Sequence, residues 1–182
     1  MNDPNGLVYT NGVYHLYHQY SNASLTPANV SWGHATSTDL LHWSLHKPAI
    51  TPDENTQAFS GSAVVDDKNV SGLFSDDVPE SNRIVAFYTT SDAQTGIQYQ
   101  SLAWSTDGGY TFNKYKEPII DLNNSQFRDP KVFKYGDKYV MLVVLSSQYK
   151  VLIYDSKNLI NWNHVSTFEM SRFFFLYKCY VK

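Results

Sequence analysis

Three segments of this chain repeat one another at a spacing of about 50 to 70 residues, and that repeat limits the possible folds more than any other feature. Ser37-Thr38-Asp39-Leu40-Leu41-His42-Trp43 is echoed by Ser156-Lys157-Asn158-Leu159-Ile160-Asn161-Trp162, and more loosely by Ser105-Thr106-Asp107-Gly108-Gly109-Tyr110-Thr111-Phe112. Each copy ends a strand-like run, turns on Asp or Asn, and returns with an aromatic plug. Helical periodicity is nearly absent. Short apolar or alternating runs bounded by Gly, Pro, Asn and Asp take its place, as an all-β chain requires. The expected strands are 7–10, 13–19, 32–37, 62–66, 83–90, 97–105, 132–134, 139–145 and 151–156. A repeat of this length reads as the four-stranded blade of a β-propeller, and three periods are too few to close a ring.

Two carboxylates sit in matching places on that framework. Asp3 precedes Pro4, so it is pushed out of the helical region into an extended one. Asn5-Gly6 then permits a tight turn, and Asn11-Gly12 is a strong hairpin signal. Arg128-Asp129-Pro130 is built the same way, with Gly136-Asp137 as its turn. The two motifs stand about two repeat periods apart, which puts both carboxylates on innermost strands of different blades, facing one axis. Taken alone, Asp3 also fits a turn-capping residue, and Arg128 with Asp129 a structural ion pair.

Composition removes several classes of function. The formal net charge is −3, without the basic footprint of a nucleic-acid binder. The single Cys179 allows neither an internal disulfide nor a cysteine-based zinc site. The six histidines show no metal-ligand spacing tied to carboxylates, so neither metal nor other cofactor is expected. No apolar run approaches the length of a membrane span. No signal peptide is expected, since Met1 adjoins the Asp3 motif. Aromatic residues make up 15% of the chain, including 14 Tyr; such a surface suits the stacking of sugar rings, and suits any β-sandwich as well. Asn22, Asn29, Asn69 and Asn123 each open an N-glycosylation acceptor pattern.

Asn2-Asp3-Pro4-Asn5-Gly6, Trp32-Gly33-His34-Ala35, Phe59-Ser60-Gly61-Ser62 and Arg128-Asp129-Pro130, together with the Ser37–Trp43 repeat, resemble the β-fructofuranosidases (invertases and inulinases) of glycoside hydrolase family 32. The motifs fall in the family's order from Met1 to about residue 168. The resemblance implies a five-bladed propeller followed by a β-sandwich, of which this chain holds about the first three blades and no sandwich. On that reading residues 1–168 are the N-terminal part of the catalytic domain, and residues 169–182 are a divergent tail of the kind a frameshift leaves.

The same resemblance assigns roles. Asp3 matches the nucleophile, and Asp129 the residue that holds fructose hydroxyls and stabilises the transition state. Arg128 is expected to lower the Asp129 pKa and keep it charged. Asn2, Gln19, Trp32, Phe59, Ser60 and Arg128 match substrate-binding positions. Trp32 and Phe59 would supply apolar walls, Gln19 and Ser60 hydrogen bonds; for the two aromatics core packing is the competing reading. Trp43, Phe112 and Trp162 are assigned to packing. Where the family carries its acid/base Glu before a Cys, this chain has Lys178 before Cys179.

The implied reaction is retaining hydrolysis of terminal β-fructofuranosyl units from sucrose or a fructan, by an extracellular or secretory enzyme. Without the Glu, little activity is expected. Two alternatives stand beside it: a non-catalytic remnant that binds sugar weakly or is a broken-gene product, and another five-bladed glycosidase such as an arabinan hydrolase.

Overall fold

The computed structural model describes residues 2–21 and 29–169. These form an all-β structure of three antiparallel sheets, each hydrogen-bonded in chain order. Sheet 1 comprises β1 (Pro4–Thr10), β2 (Val13–Tyr20), β3 (Ser31–Ser37) and β4 (Ser44–Ile50). Sheet 2 comprises β5 (Thr56–Val65), β6 (Ile84–Asp92), β7 (Gln98–Ser105) and β8 (Asn113–Lys114), with β9 (Ile120–Asn124) also paired to β7. Sheet 3 comprises β10 (Phe127–Tyr135), β11 (Lys138–Leu145), β12 (Lys150–Ser156) and β13 (Asn163–Glu169).

Turn chemistry dictates these meanders. Asn11 and Gly12 both have positive φ, 51° and 75°, which suits the two-residue turn between β1 and β2. The three sequence repeats occupy equivalent places, joining the third strand of each sheet to the fourth. In the first, the Ser37 hydroxyl accepts the Asp39 and Leu40 amides, Asp39 Oδ1 accepts those of Leu41 and His42, and the Trp43 indole donates to the Leu40 carbonyl. The Ser156–Trp162 copy reproduces each of these bonds, with Asn158 in place of Asp39. Leu40 and Leu159 are held at positive φ, 65° and 63°, where the middle copy instead carries Gly108 and Gly109.

Sheet 2 is packed on both faces, so β6 is buried over eight consecutive residues. Ala86 and Tyr88 face sheet 1 and pack with Tyr17, Trp32 and Ile50. Val85 and Phe87 face sheet 3 and pack with Met141, Val143, Leu152 and Leu159. β4 and β13 are mostly or wholly exposed outer strands that alternation does not reveal, and they were not among the expected ones.

The first strands of the three sheets lie side by side, β1 against β5 and β5 against β10. Ser62 stitches the second pair: its buried hydroxyl donates to the Pro130 carbonyl and accepts the Val132 amide, at 2.9 and 2.8 Å. Each first strand also breaks register once, between Asn5 and Val8, Ala58 and Gly61, and Arg128 and Lys131. Such bulges bend a strand and re-aim its side chains.

Candidate active site

Phe59 and Ser60 lie in the β5 bulge and Asp129 in the β10 bulge, while Asp3 stands just ahead of β1. Asp3 enters β1 with its backbone tied to the end of β2, its carbonyl accepting the Gln19 amide at 3.0 Å. Gly6 follows with φ +49°, and a Cβ there would press on the Tyr17 and Trp32 rings. Only glycine allows the strand to bend so closely over that core. The Asp3 carboxylate accepts a 3.0 Å hydrogen bond from the Ser60 hydroxyl, so the donor holding it comes from the neighbouring sheet. Ser60 is set by the β5 bulge, where a Cβ on Gly61 would strike the Phe87 carbonyl. Asn5 joins the two bulges, its Oδ1 accepting the Gly61 amide at 3.4 Å.

Asp129 occupies the β10 bulge at φ +66°, a left-handed conformation that Asp tolerates better than most residues. A buried polar relay fixes it. The Asp129 amide donates to Thr89 Oγ1, Thr89 donates to Gln100 Oε1, and Gln100 Nε2 donates to the Phe127 carbonyl. Thr89 and Gln100 are fully buried. Neither was singled out from the sequence, although polar side chains at alternate positions of otherwise apolar strands signal such a relay.

The electrostatics of Asp129 correct one expectation. Its pKa is raised above the ordinary carboxylate value, first by burial, with Arg128 opposing and the nearby Asp3 charge adding to the rise. Arg128 therefore does not prevail. Its guanidinium donates to Gln126 and Gln98, and its Nε stands 4.0 Å from the Asp129 carboxylate. Half of the Asp129 side chain is open to solvent, yet protein surrounds the carboxyl closely enough for desolvation to outweigh that distant cation. The Asp3 charge thus reaches Asp129, far from it in sequence.

The remaining candidates separate into two layers. Asn2 and Asp3 are exposed, and Ser60, Phe59, Gln19 and Arg128 are half-buried. Gln19 spends its amide on the Ala58 carbonyl, 3.2 Å away. Trp32 is the second correction: with 0% exposure it offers no wall to a ligand. It lies beneath Gly6 and donates its indole N–H to the Phe59 carbonyl at 2.8 Å, so it positions the site from below. The core-packing reading holds for Trp32. Lys178, Cys179 and the rest of the tail lie outside the described residues; Glu169 ends β13 on an exposed edge. Among the described residues no group of three or more His, Cys, Asp or Glu side chains is arranged to hold a metal ion.

One carboxylate held by a hydroxyl, a second with raised proton affinity, and hydrogen-bonding side chains around both suit chemistry on a polyhydroxylated substrate. Residues 1–179 match the model of the glycosyl hydrolases family 32 N-terminal domain, a match that continues beyond residue 168 into the tail. The chain is 50% identical to an invertase of Schizosaccharomyces pombe, over 98% of this chain and 32% of that protein. It is 44% identical to an extracellular exo-inulinase of Meyerozyma guilliermondii, over 98% of this chain and 36% of that one. A fructofuranosidase of Schwanniomyces occidentalis, solved in complex with fructose, superimposes with a TM-score of 0.88 at 48% identity, covering 93% of this chain and 34% of that one. The chain spans about a third of the length of these relatives.

Proposed function

The chain belongs to glycosyl hydrolase family 32 as part of its N-terminal domain, and from that premise we propose that it carries the carboxylate half of a site for retaining hydrolysis of terminal β-fructofuranosyl units. Its three sheets are then three adjacent blades of a five-bladed propeller, and β1, β5 and β10 are their innermost strands. Asp3 is the nucleophile that attacks the anomeric carbon and forms a fructosyl-enzyme. Retaining glycosidases place such a nucleophile about 5–5.5 Å from the proton donor. Ser60 orients the Asp3 carboxylate through its hydrogen bond. Asp129 binds sugar hydroxyls, and its contact helps most if it strengthens as the ring flattens toward an oxocarbenium ion. The ligand is sucrose or a fructan, and the setting is extracellular, as for the exo-inulinase relative.

The observation that carries this reading is the approach of Asp3, just ahead of β1, to Ser60 and Asp129 in the bulges of β5 and β10, with Ser60 bonded to Asp3 and Asp129 responding to the Asp3 charge. The proton donor is the missing half. Lys178 stands at its matching position, and lysine's ordinary pKa near 10.4 unsuits it as the acid that protonates a leaving oxygen. Absence of general acid help lowers the rate by roughly 10²–10⁴. A second reading therefore follows from Lys178: a sugar-binding remnant without turnover.

Sucrose hydrolysis and fructose binding, measured side by side, decide between them. Slow turnover abolished by Asp3→Ala supports the catalytic reading. Binding weakened by Asp129→Ala, with no turnover above the Asp3→Ala background, supports the remnant. Hydrolysis of arabinan but not sucrose would overturn both.

A further inference from the structure

Four acceptor patterns for N-linked glycans occur in the chain, and the structure separates two of them sharply. Asn22 lies outside the described residues and Asn29 is the first residue described after that gap, so the contrast is drawn on Asn69-Val70-Ser71 and Asn123-Asn124-Ser125. Both Asn69 and Asn123 have positive φ, 50° and 51°, so backbone conformation does not distinguish them.

The Asn69 carboxamide is consumed by the fold. Its Nδ2 donates to the Phe74 carbonyl at 2.7 Å while its Oδ1 accepts the Phe74 amide at 3.2 Å, a two-point ring with one residue. Closing that ring uses the Nδ2 hydrogen on the Oδ1 side. A planar secondary amide keeps its remaining N–H opposite the carbonyl oxygen, so an attached sugar would occupy the Oδ1 side. Glycan and ring exclude each other. The pattern's Ser71 is engaged too, its hydroxyl donating to the buried Asp66 carboxylate at 2.6 Å. Phe74, which the ring positions, belongs to the core between sheets 2 and 3.

Asn123 is arranged oppositely. It stands on the exposed end of β9, where its backbone amide donates to Asp121 Oδ1. Among the described residues its carboxamide has no partner, and Ser125 is also exposed. The strand leads directly to the site: Gln126, three residues beyond Asn123, accepts a hydrogen bond from Arg128.

We propose that Asn123 carries an N-linked glycan at the rim of the Asp129 end of sheet 3, and that Asn69 carries none in the folded chain. In the transfer, Asn123 Nδ2 bonds to C1 of a lipid-diphosphate-linked oligosaccharide. The C1–O bond to phosphate breaks, the lipid diphosphate leaves with the electron pair, and one Nδ2 proton passes to a base of the transferase. The inference rests on the extracellular reading above, so its test supplies secretory entry independently of it.

The chain fused behind a secretory leader is translated with microsomes, and the wild type is compared with Asn123→Gln and Ser125→Ala. Each variant is expected to lose one glycan from the gel ladder, a readout that does not require folding. Protease-resistant product is then treated with an amidase that converts each glycosylated Asn to Asp, and its peptides are mass-mapped. Conversion at Asn123 with Asn69 unmodified is the expected result. An unchanged ladder for Asn123→Gln, or conversion at Asn69 in the protease-resistant chain, overturns the proposal.

Discussion

Sheets 1 and 3 end in the same turn but have opposite interiors. The Ser37–Trp43 and Ser156–Trp162 turns share their hydrogen bonds almost atom for atom, down to the indole N–H that closes each one. Leu40 nevertheless stands 47% exposed in the first and Leu159 is fully buried in the second. The second turn docks on sheet 2, where Trp162 meets the Phe87 ring edge-on at 5.7 Å. Behind the first turn lies instead a stack of imidazoles. His34 is 5.3 Å from His15 and 4.9 Å from His46 between ring centroids, and the Tyr110 ring meets all three edge-on. Sheet 3 buries Met141, Val143 and Leu145. Local hydrogen bonding writes the turn; the neighbouring sheet decides what the turn is worth.

The largest expected break in this likeness comes from the two leucines. Leu159→Ala removes a fully buried side chain and should destabilise the chain by about 2–5 kcal/mol. Leu40→Ala, at an exposed position, should stay within about 0.5 kcal/mol. Paired chemical denaturation curves check the contrast, and equal losses would refute it.

Acid should break the likeness next. His34 is held neutral by burial, aided by His15, His46 and His18 and opposed by Asp107, with its pKa pushed down to about 3. His15 is shifted the same way by burial and His46, again against Asp107. Tyr17, stacked on His34 at 4.7 Å, and Tyr110 are the other titratable groups facing the stack. A histidine with a depressed folded pKa takes up its proton only on unfolding, so stability falls as pH drops below the unfolded value of 6.5 toward about 3. The folding constant should lose up to about tenfold per pH unit for each such histidine. Hydrogen exchange should show sheet 1 opening before sheet 3, and His34→Phe should flatten that acid limb.

Smaller effects test the turns themselves. Ser37→Ala and Ser156→Ala each strip the hydroxyl that accepts two backbone amides, and each should cost about 1 kcal/mol in thermal unfolding. The least effect is expected from Asp39→Asn, which converts the first turn into the second. Asp39 is kept well below the usual carboxylate range by the His42 side chain and by turn amides. Its contribution is therefore present above that range and lost only in strong acid. The variant should lack only that small contribution at neutral pH and converge with the wild type in strong acid, as read by paired thermal unfolding in the two conditions.

Much of this was legible in advance because it is local. Asn11-Gly12 and the Ser-x-Asp and Ser-x-Asn turns specify backbone conformation with their own atoms, whereas the extended conformation expected before Pro130 gives way to φ +66° at Asp129 in the β10 bulge. β4 escaped notice because Ser44-Leu45-His46-Lys47-Pro48 shows no alternation, and an outer strand exposed on both faces has no reason to alternate. β13 escaped for the same reason. Thr89 and Gln100 were missed because their partners lie on other strands.

By itself the sequence determined the all-β class, the repeated turn and the family, since each is carried by neighbouring residues or by motifs in a fixed order, and it nominated the two candidate carboxylates. Tertiary structure alone decided that Trp32 lies under the site and that burial outweighs Arg128 at Asp129. It alone decided, too, that Asn69 is spent on Phe74 while the Asn123 carboxamide has no partner among the described residues. Those outcomes depend on which groups meet across the gap between sheets, and desolvation and hydrogen-bond pairing are set only once the sheets have packed.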